Sequence, residues 1–291
     1  MQSFHELALG YAAEGGRTAM VPVIEKELLH YGILDDMDHH GYLSRLTFQG
    51  GTCLRLCYGS ERYSEDLDFA GGAGFVADDL DGLSQVLRDG VSSRYGVDVE
   101  VGPPSRSKPD QSGLTVDTWR ITVVTAPARP DLPRQRVSIQ VANVPAHTRQ
   151  VRPLRVNYPD LPSSFSRVLA VTESPEEICA DKLKAFITSR FVRYRDLWDM
   201  RWLTLLPGFE SDRLSNLLQH KLDDYRCHDE FRNGLQRLDD LDAIVDGSEF
   251  RAQLGRFLPA DTIARTIDRP EFRTSLTDEV TRLYKKAGVL N

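Results

Sequence analysis

Cysteine is scarce in this chain. There are four, Cys53, Cys57, Cys179 and Cys227, and no C-x-x-C pair among them. That excludes a disulfide framework and leaves reduced thiols in a cytoplasmic setting as the expectation. Cys53 and Cys57 share a helical face at i,i+4, yet no second thiol or histidine pair follows them, so they read as small apolar filler and not as zinc ligands. Long apolar runs are lacking too: none approaches the roughly 18 residues of a transmembrane helix. Between Met1 and Gly10 the chain carries His5 and Glu6, where a signal peptide needs basic and then apolar residues. The expectation is a soluble protein that is not exported and has no membrane partner. No internal repeat and no low-complexity tract is present, which excludes solenoids and spacer arrays.

Positive charge is also short overall, with a formal net charge of −7 over 291 residues. Its distribution is uneven. Between Ala126 and Arg167 stand Arg129, Arg134, Arg136, Arg149, Arg152, Arg155 and Arg167 against only Asp131 and Asp160, a local +5 made of arginine alone. Such a segment is either a solvated charged surface or a basic rim that receives phosphates. At 41% hydrophobic residues, the chain is long enough for two lobes.

Periodicity predicts short amphipathic helices over 4–13 and 20–31, the second with Pro22 near its start. A strand is expected over 43–49, broken by Gly50-Gly51, after which Thr52–Tyr58 has helical spacing. Further strands are expected at 97–101, 117–125 and 136–143, with a helix from about 79 to 95. Prolines at 103, 104, 109, 127, 130, 133, 145, 153, 159 and 162 punctuate the loops. The fold class is thus α+β, with an α+β lobe over 1–165 whose sheet ends near 143 and a helical lobe over 166–291. The helical lobe opens on a capping box: Ser174 at the N-cap, Pro175 at N1 and Glu177 at N3. Breaks are expected near Pro207-Gly208, Gly247 and Pro259.

The chemistry concentrates in a few residues. Ser64–Phe69 alternates polar and apolar, which reads as a strand with Asp66 and Asp68 on one face and Leu67 and Phe69 on the other. Two carboxylates side by side, 15 residues after the turn Gly50-Gly51-Thr52, suit a hard cation such as Mg²⁺ beside backbone N–H groups that accept phosphate. In the helix after Ser174, Lys182 shares a stripe with Ile178, Ala185 and Ser189. Its ammonium either snorkels to the surface or meets a phosphate or carboxylate. Asp196 and Asp199 lie one turn apart. Arg193 can reach Asp196 and Arg195 can reach Asp199, which on a surface is worth little.

The runs Gln49-Gly50-Gly51-Thr52-Cys53-Leu54, Tyr58-Gly59, Arg62 and Ser64-Glu65-Asp66-Leu67-Asp68-Phe69 together resemble the signature of the AbiEii/AbiGii-type nucleotidyltransferase toxins. These are relatives of the mycobacterial MenT toxins in the polymerase β-like superfamily. Glu177-Ile178, Asp181-Lys182-Leu183 with Ala185, and Arg193-Tyr194-Arg195-Asp196-Leu197-Trp198-Asp199 are similar to a second and a third motif in the family's order. The resemblance implies a polymerase β-like core sheet plus a helical lobe that closes over an NTP. It further implies transfer of a nucleotide to RNA, best the 3′ end of tRNA, a role in halting translation or in phage defence, and a cognate antitoxin. By that resemblance Asp66 and Asp68 hold Mg²⁺, and Gly50, Gly51, Thr52, Arg62, Ser64 and Asp199 border the nucleotide. Lys182 would grip the triphosphate, and Asp196 would orient the acceptor hydroxyl or act as general base. Phosphorylation at Ser64 would set negative charge against the NTP.

One departure stands out. The family's superfamily places a third carboxylate on a neighbouring strand, and in Val137–Ala142 the corresponding residue is Gln140, a neutral amide that lowers ligand charge. Transfer to a protein or small molecule, or a catalytically degenerate nucleotide-binding member, are the alternatives this leaves.

Overall fold

A computed structural model of the chain describes residues 3–14, 16–107 and 113–290. Met1, Gln2 and Pro109, on which parts of the expectations fall, lie outside the described residues. Two compact units are present, Met1–Thr172 and Glu173–Asn291.

The first unit opens with helices α1 (Phe4–Glu14) and α2 (Val21–His39), the latter with Pro22 in its first turn. Helix α2 runs eight residues beyond the expected end because Ile33, Leu34 and Met37 keep adding apolar surface to the core. Strand β1 is only Thr47–Gln49; Leu43–Arg45, expected to be its beginning, is a tight helical turn. There follow α3 (Gly50–Cys53) continuing as a wider π-type turn over Leu54–Tyr58, β2 (Leu67–Ala70), α4 (Leu83–Tyr95), β3 (Asp98–Val101), β4 (Ser105–Arg106), β5 (Val116–Val124) and β6 (Gln135–Ala142). The sheet does not end there. Strands β7 (Gln150–Pro153) and β8 (Leu169–Thr172) form in the segment read as irregular, and β8 pairs with β1, so the first unit continues past residue 165.

Among the described residues the eight strands form one mixed sheet in the order β3-β5-β6-β2-β1-β8-β7, with β4 on β5. The pairs β2/β6 and β1/β8 are parallel and the others antiparallel. One face buries Phe48, Leu67, Phe69, Val137, Ile139, Val141, Trp119 and Ile121, with the Phe48 and Phe69 rings stacked at 4.9 Å. Each such side chain stabilises the fold by about 1.5–3 kcal/mol, which is what fixes the register.

The second unit is helical: α5 (Pro175–Thr188), α6 (Tyr194–Thr204), α7 (Leu214–Asp224), α8 (His228–Gly234), α9 (Leu241–Asp246), α10 (Ser248–Leu254), α11 (Ala260–Arg265) and α12 (Pro270–Lys286). Helix α5 begins as the capping signal predicts, the Glu177 N–H donating to Ser174 Oγ at 3.3 Å. Inside this unit Lys221 is wholly buried, with Nζ 2.7 Å from Glu173, 2.7 Å from Glu177 and 2.9 Å from Asp181. Burial would lower the ammonium, but the three carboxyls outweigh it and hold Lys221 well above its ordinary value. Lys184 adds a second cation, its Nζ 3.0 Å from Asp181, yet three acids against two ammoniums leave negative charge in excess. Burial and its acidic neighbours therefore raise Glu173 well above the carboxylate range despite Lys221.

Candidate active site

The polar face of the sheet is built by register. Gln49 on β1 pairs with Asp68 on β2, Asp68 with Gln140 on β6, and Gln140 with Thr118 on β5. Cross-strand partners share a face, so these four side chains form a row opposite the stacked phenylalanines. Gln140, the residue expected at the third-acid position, stands beside Asp68 in this row.

Asp66 departs from its expected place. Strand β2 starts at Leu67, and Asp66 stands just before it. There it is fixed from two sides: its carbonyl accepts the Thr52 hydroxyl, and its Oδ1 accepts the Ser138 N–H at 3.1 Å. Its other carboxylate oxygen accepts no hydrogen bond among the described residues.

Glycine is required at the turn into α3. Gly50 has φ +78°, and a Cβ there would lie 2.7 Å from Asp68 Oδ2, so the carboxylate rests against a backbone stripped of side chain. A Cβ on Gly51 would lie 2.5 Å from the Arg62 guanidinium and 2.9 Å from Ser64 Oγ, which puts both of those groups over the first helical turn. The loop carrying them is anchored by a buried network. Arg55 holds Glu27 at 3.1 Å and donates to the Ser60 and Glu61 carbonyls, while Asn157 and Tyr158 donate to Glu27 at 2.6 and 3.0 Å. Sequence spacing thus locates Gly50, Gly51, Thr52, Arg62, Ser64, Asp66 and Asp68 on one small part of the first unit.

Sequence reasoning missed Gln49. Its Oε1 is buried and without a hydrogen-bond partner, next in the row to Asp68. A buried amide oxygen left unmatched costs about 1–3 kcal/mol. Nothing about glutamine as a residue type marks it; only the pairing of β1 with β2 does. An oxygen-only donor set of two aspartates flanked by two amides fits a hard cation such as Mg²⁺. Among the described residues no group of three or more His, Cys, Asp or Glu is gathered in a way that would hold a metal, and the four cysteines are free thiols.

In the second unit Lys182 does not snorkel. Its Nζ lies 2.6 Å from Asp199 Oδ2 and 3.1 Å from Asp196 Oδ1, with side chains at 8%, 0% and 4% exposure. Arg193 pairs with the other oxygen of Asp196, as the spacing predicts, and the Arg195 guanidinium lies 4.6 Å from the Phe257 ring centroid. Burial would raise the Asp196 carboxyl, but the Lys182 and Arg193 charges hold it well below the usual range. With both oxygens engaged and so little basicity, Asp196 is a poor general base. Its evident effect is to fix the lysine.

A family model described as nucleotidyl transferase AbiEii toxin, type IV TA system, matches residues 32–278. The chain belongs to this AbiEii family. The family is one of nucleotidyl transferase toxins that belong to toxin–antitoxin systems. Among solved structures, MenT4, a nucleotidyltransferase toxin of Mycobacterium tuberculosis, is similar at 17% identity and a TM-score of 0.59, over 99% of this chain and 90% of that one. A protein of H. pylori assigned as a nucleotidyltransferase is similar at 17% identity and a TM-score of 0.50, over 91% of this chain and 96% of that one. At such identities the likeness is one of fold, and that fold is the mixed sheet with helices seen in this AbiEii chain. No curated protein matches the sequence. No helix among the described residues is long and apolar enough to cross a membrane.

Proposed function

We propose that this AbiEii protein transfers a nucleoside monophosphate from an NTP to the 3′ hydroxyl of an RNA, best a tRNA, and so halts translation in the cytoplasm. The observation that carries the reading is the oxygen-lined row at Asp68, with Asp66 beside it and the Arg62 and Ser64 groups over the glycine turn.

In this reading Asp66 and Asp68 hold Mg²⁺, with the amide oxygens of Gln49 and Gln140 next to them. The ion's contribution when bound is to neutralise charge on the phosphates. Backbone N–H groups of Gly51 and Thr52, with Arg62, bind and orient phosphate oxygens. Lys182, with its Nζ on Asp196 and Asp199, would give its remaining N–H group to a phosphate. The acceptor oxygen bonds to the α-phosphorus, the bond from that phosphorus to the β-phosphate oxygen breaks, and pyrophosphate leaves. The hydroxyl proton passes to water, the amide of Gln140 being unable to take it.

The test is incubation of purified protein and Mg²⁺ with total tRNA and each labelled NTP in turn, alongside Asp66→Ala and Asp68→Ala. Label entering RNA from one NTP, lost in both variants, is the expected result. NTP turnover indifferent to RNA, or label that enters RNA equally with the variants, would overturn it.

A further inference from the structure

The loop between α5 and α6 reads Arg190-Phe191-Val192-Arg193, and α6 opens with Tyr194 and Arg195. These residues, with Gln253, line an open cavity of about 570 Å³ that lies wholly within the second unit. Phe191 is 74% exposed, the most exposed large hydrophobic side chain among the described residues. The Arg190 guanidinium stands 5.3 Å from its ring centroid and, among the described residues, has no acidic partner. The loop is held at its base rather than hanging loose: Arg237 donates to the carbonyls of Phe186 and Ser189, the latter at 2.7 Å. The one acid in the lining, Asp196, is already neutralised by Lys182 and Arg193.

An exposed aromatic ring beside a guanidinium without an acidic partner is well suited to one class of ligand. A nucleobase stacks on the ring, and a neighbouring phosphate meets the Arg190 guanidinium. A folded duplex offers no unstacked base to the ring, so the chemistry selects single strands. We infer that the cavity at Arg190 and Phe191 binds an unpaired segment of RNA, with one base stacked on Phe191. The inference rests on the reading of RNA as the acceptor and says which surface grips it. An acidic protein partner is the competing occupant; it would need the charges but not a stacking ring.

The test follows the fluorescence anisotropy of a short fluorescein-labelled oligoadenylate titrated with the whole chain. Phe191→Ala should weaken binding about tenfold or more, as expected for one lost base-aromatic stack, and Phe191→Trp should restore it. Arg190→Ala should weaken binding less and flatten its salt dependence. Because both side chains are exposed, the variants should keep the parent's circular dichroism and melting temperature. In the transfer assay Phe191→Ala should raise KM for RNA rather than KM for NTP. The inference is overturned if Phe191→Ala binds oligoadenylate as the parent does, in which case Phe191 serves a protein partner. Equal binding of blunt duplex RNA, or displacement of the probe by ATP alone, would overturn it too. A parent that binds oligoadenylate through Phe191 but transfers nothing to RNA would sink the acceptor reading and leave this site standing.

Discussion

Lys182 Nζ lies 2.6 Å from Asp199 Oδ2 in surroundings that leave the aspartate no exposure. Truncating the lysine would leave the buried carboxylates of Asp199 and Asp196 without its ammonium, and breaking such a buried pair costs about 3–5 kcal/mol. Lys182→Ala should therefore lose stability on that scale in urea unfolding followed by circular dichroism. Asp66→Ala, at a half-buried position whose side chain accepts one backbone hydrogen bond, should lose only about 1 kcal/mol. Comparable losses in the two variants would refute the buried-pair account. It follows that inactivity of a lysine variant says little about catalysis until its folding is measured.

Acid should weaken the protein through the second unit. Lys182 and Arg193 hold Asp196 well below the usual carboxylate range against the effect of burial, and Lys221 and Lys184 likewise hold Asp181 down to about 2. A carboxyl whose folded pKa lies below its unfolded value of about 4 contributes in full above that value and loses its contribution as pH falls toward the folded one. Glu173, raised by burial, works in the opposite sense and offsets part of this. The expected outcome is a melting temperature that drops steeply as pH is lowered from about 4 toward 2, with a shallower drop in Asp196→Asn. A flat profile through that window would contradict the assignment.

Much of this was legible in the sequence, and the reasons differ by element. The glycine turn, Asp68 on its strand, the Ser174 cap and the lysine stripe are local patterns, and each stands where period or capping chemistry puts it, whereas Asp66 falls just before the strand that the alternation extended to it. Strands β7 and β8 were not legible because they are four residues long, rich in proline and arginine at their flanks, and exist through pairing with distant partners. The same holds for Gln49 and Lys221. An amide oxygen beside Asp68 and an ammonium among three acids are products of register and helix packing, which spacing along the chain does not encode.

Gln140 shares the row with Asp68, so restoring a carboxylate there should strengthen cation binding. Gln140→Asp adds one negative ligand at an oxygen site, for which an affinity gain of about tenfold is the expected order. Mn²⁺ binding read by electron paramagnetic resonance, with no nucleotide present, checks this without recourse to activity. Unchanged Mn²⁺ affinity would mean that residue 140 does not face the ion.

Gly50→Ala should impair the same region from the other side of Asp68. A φ of +78° strains any side-chain-bearing residue by about 1–2 kcal/mol, and the new methyl would press on Asp68 Oδ2 from 2.7 Å. Mn²⁺ affinity should fall in this variant by more than the stability loss alone explains. Gly72→Ala is the control, with φ +89° and open space around a Cβ: strain without the clash. Equal Mn²⁺ affinity in the two variants would show that the carboxylate is free to move aside.

The arginine-rich stretch gives the last test, and the structure narrows it. Of its seven arginines, Arg129 is paired with Asp131 and Arg152 lies 4.5 Å from the Tyr58 ring centroid. Arg134, Arg136 and Arg149 are exposed and have no ion-pair partner among the described residues. If these three meet phosphates, each replaced by glutamine should lower the slope of log Kd against log salt for tRNA by about 0.7–0.9. The weakening should be the same for any RNA sequence, since phosphate contacts position a strand without reading it. Arg129→Gln should change the slope little, its charge being already answered by Asp131. A slope unaffected by the triple substitution, measured by filter binding across several salt concentrations, would mean that the stretch is a solvated surface and that RNA is held elsewhere.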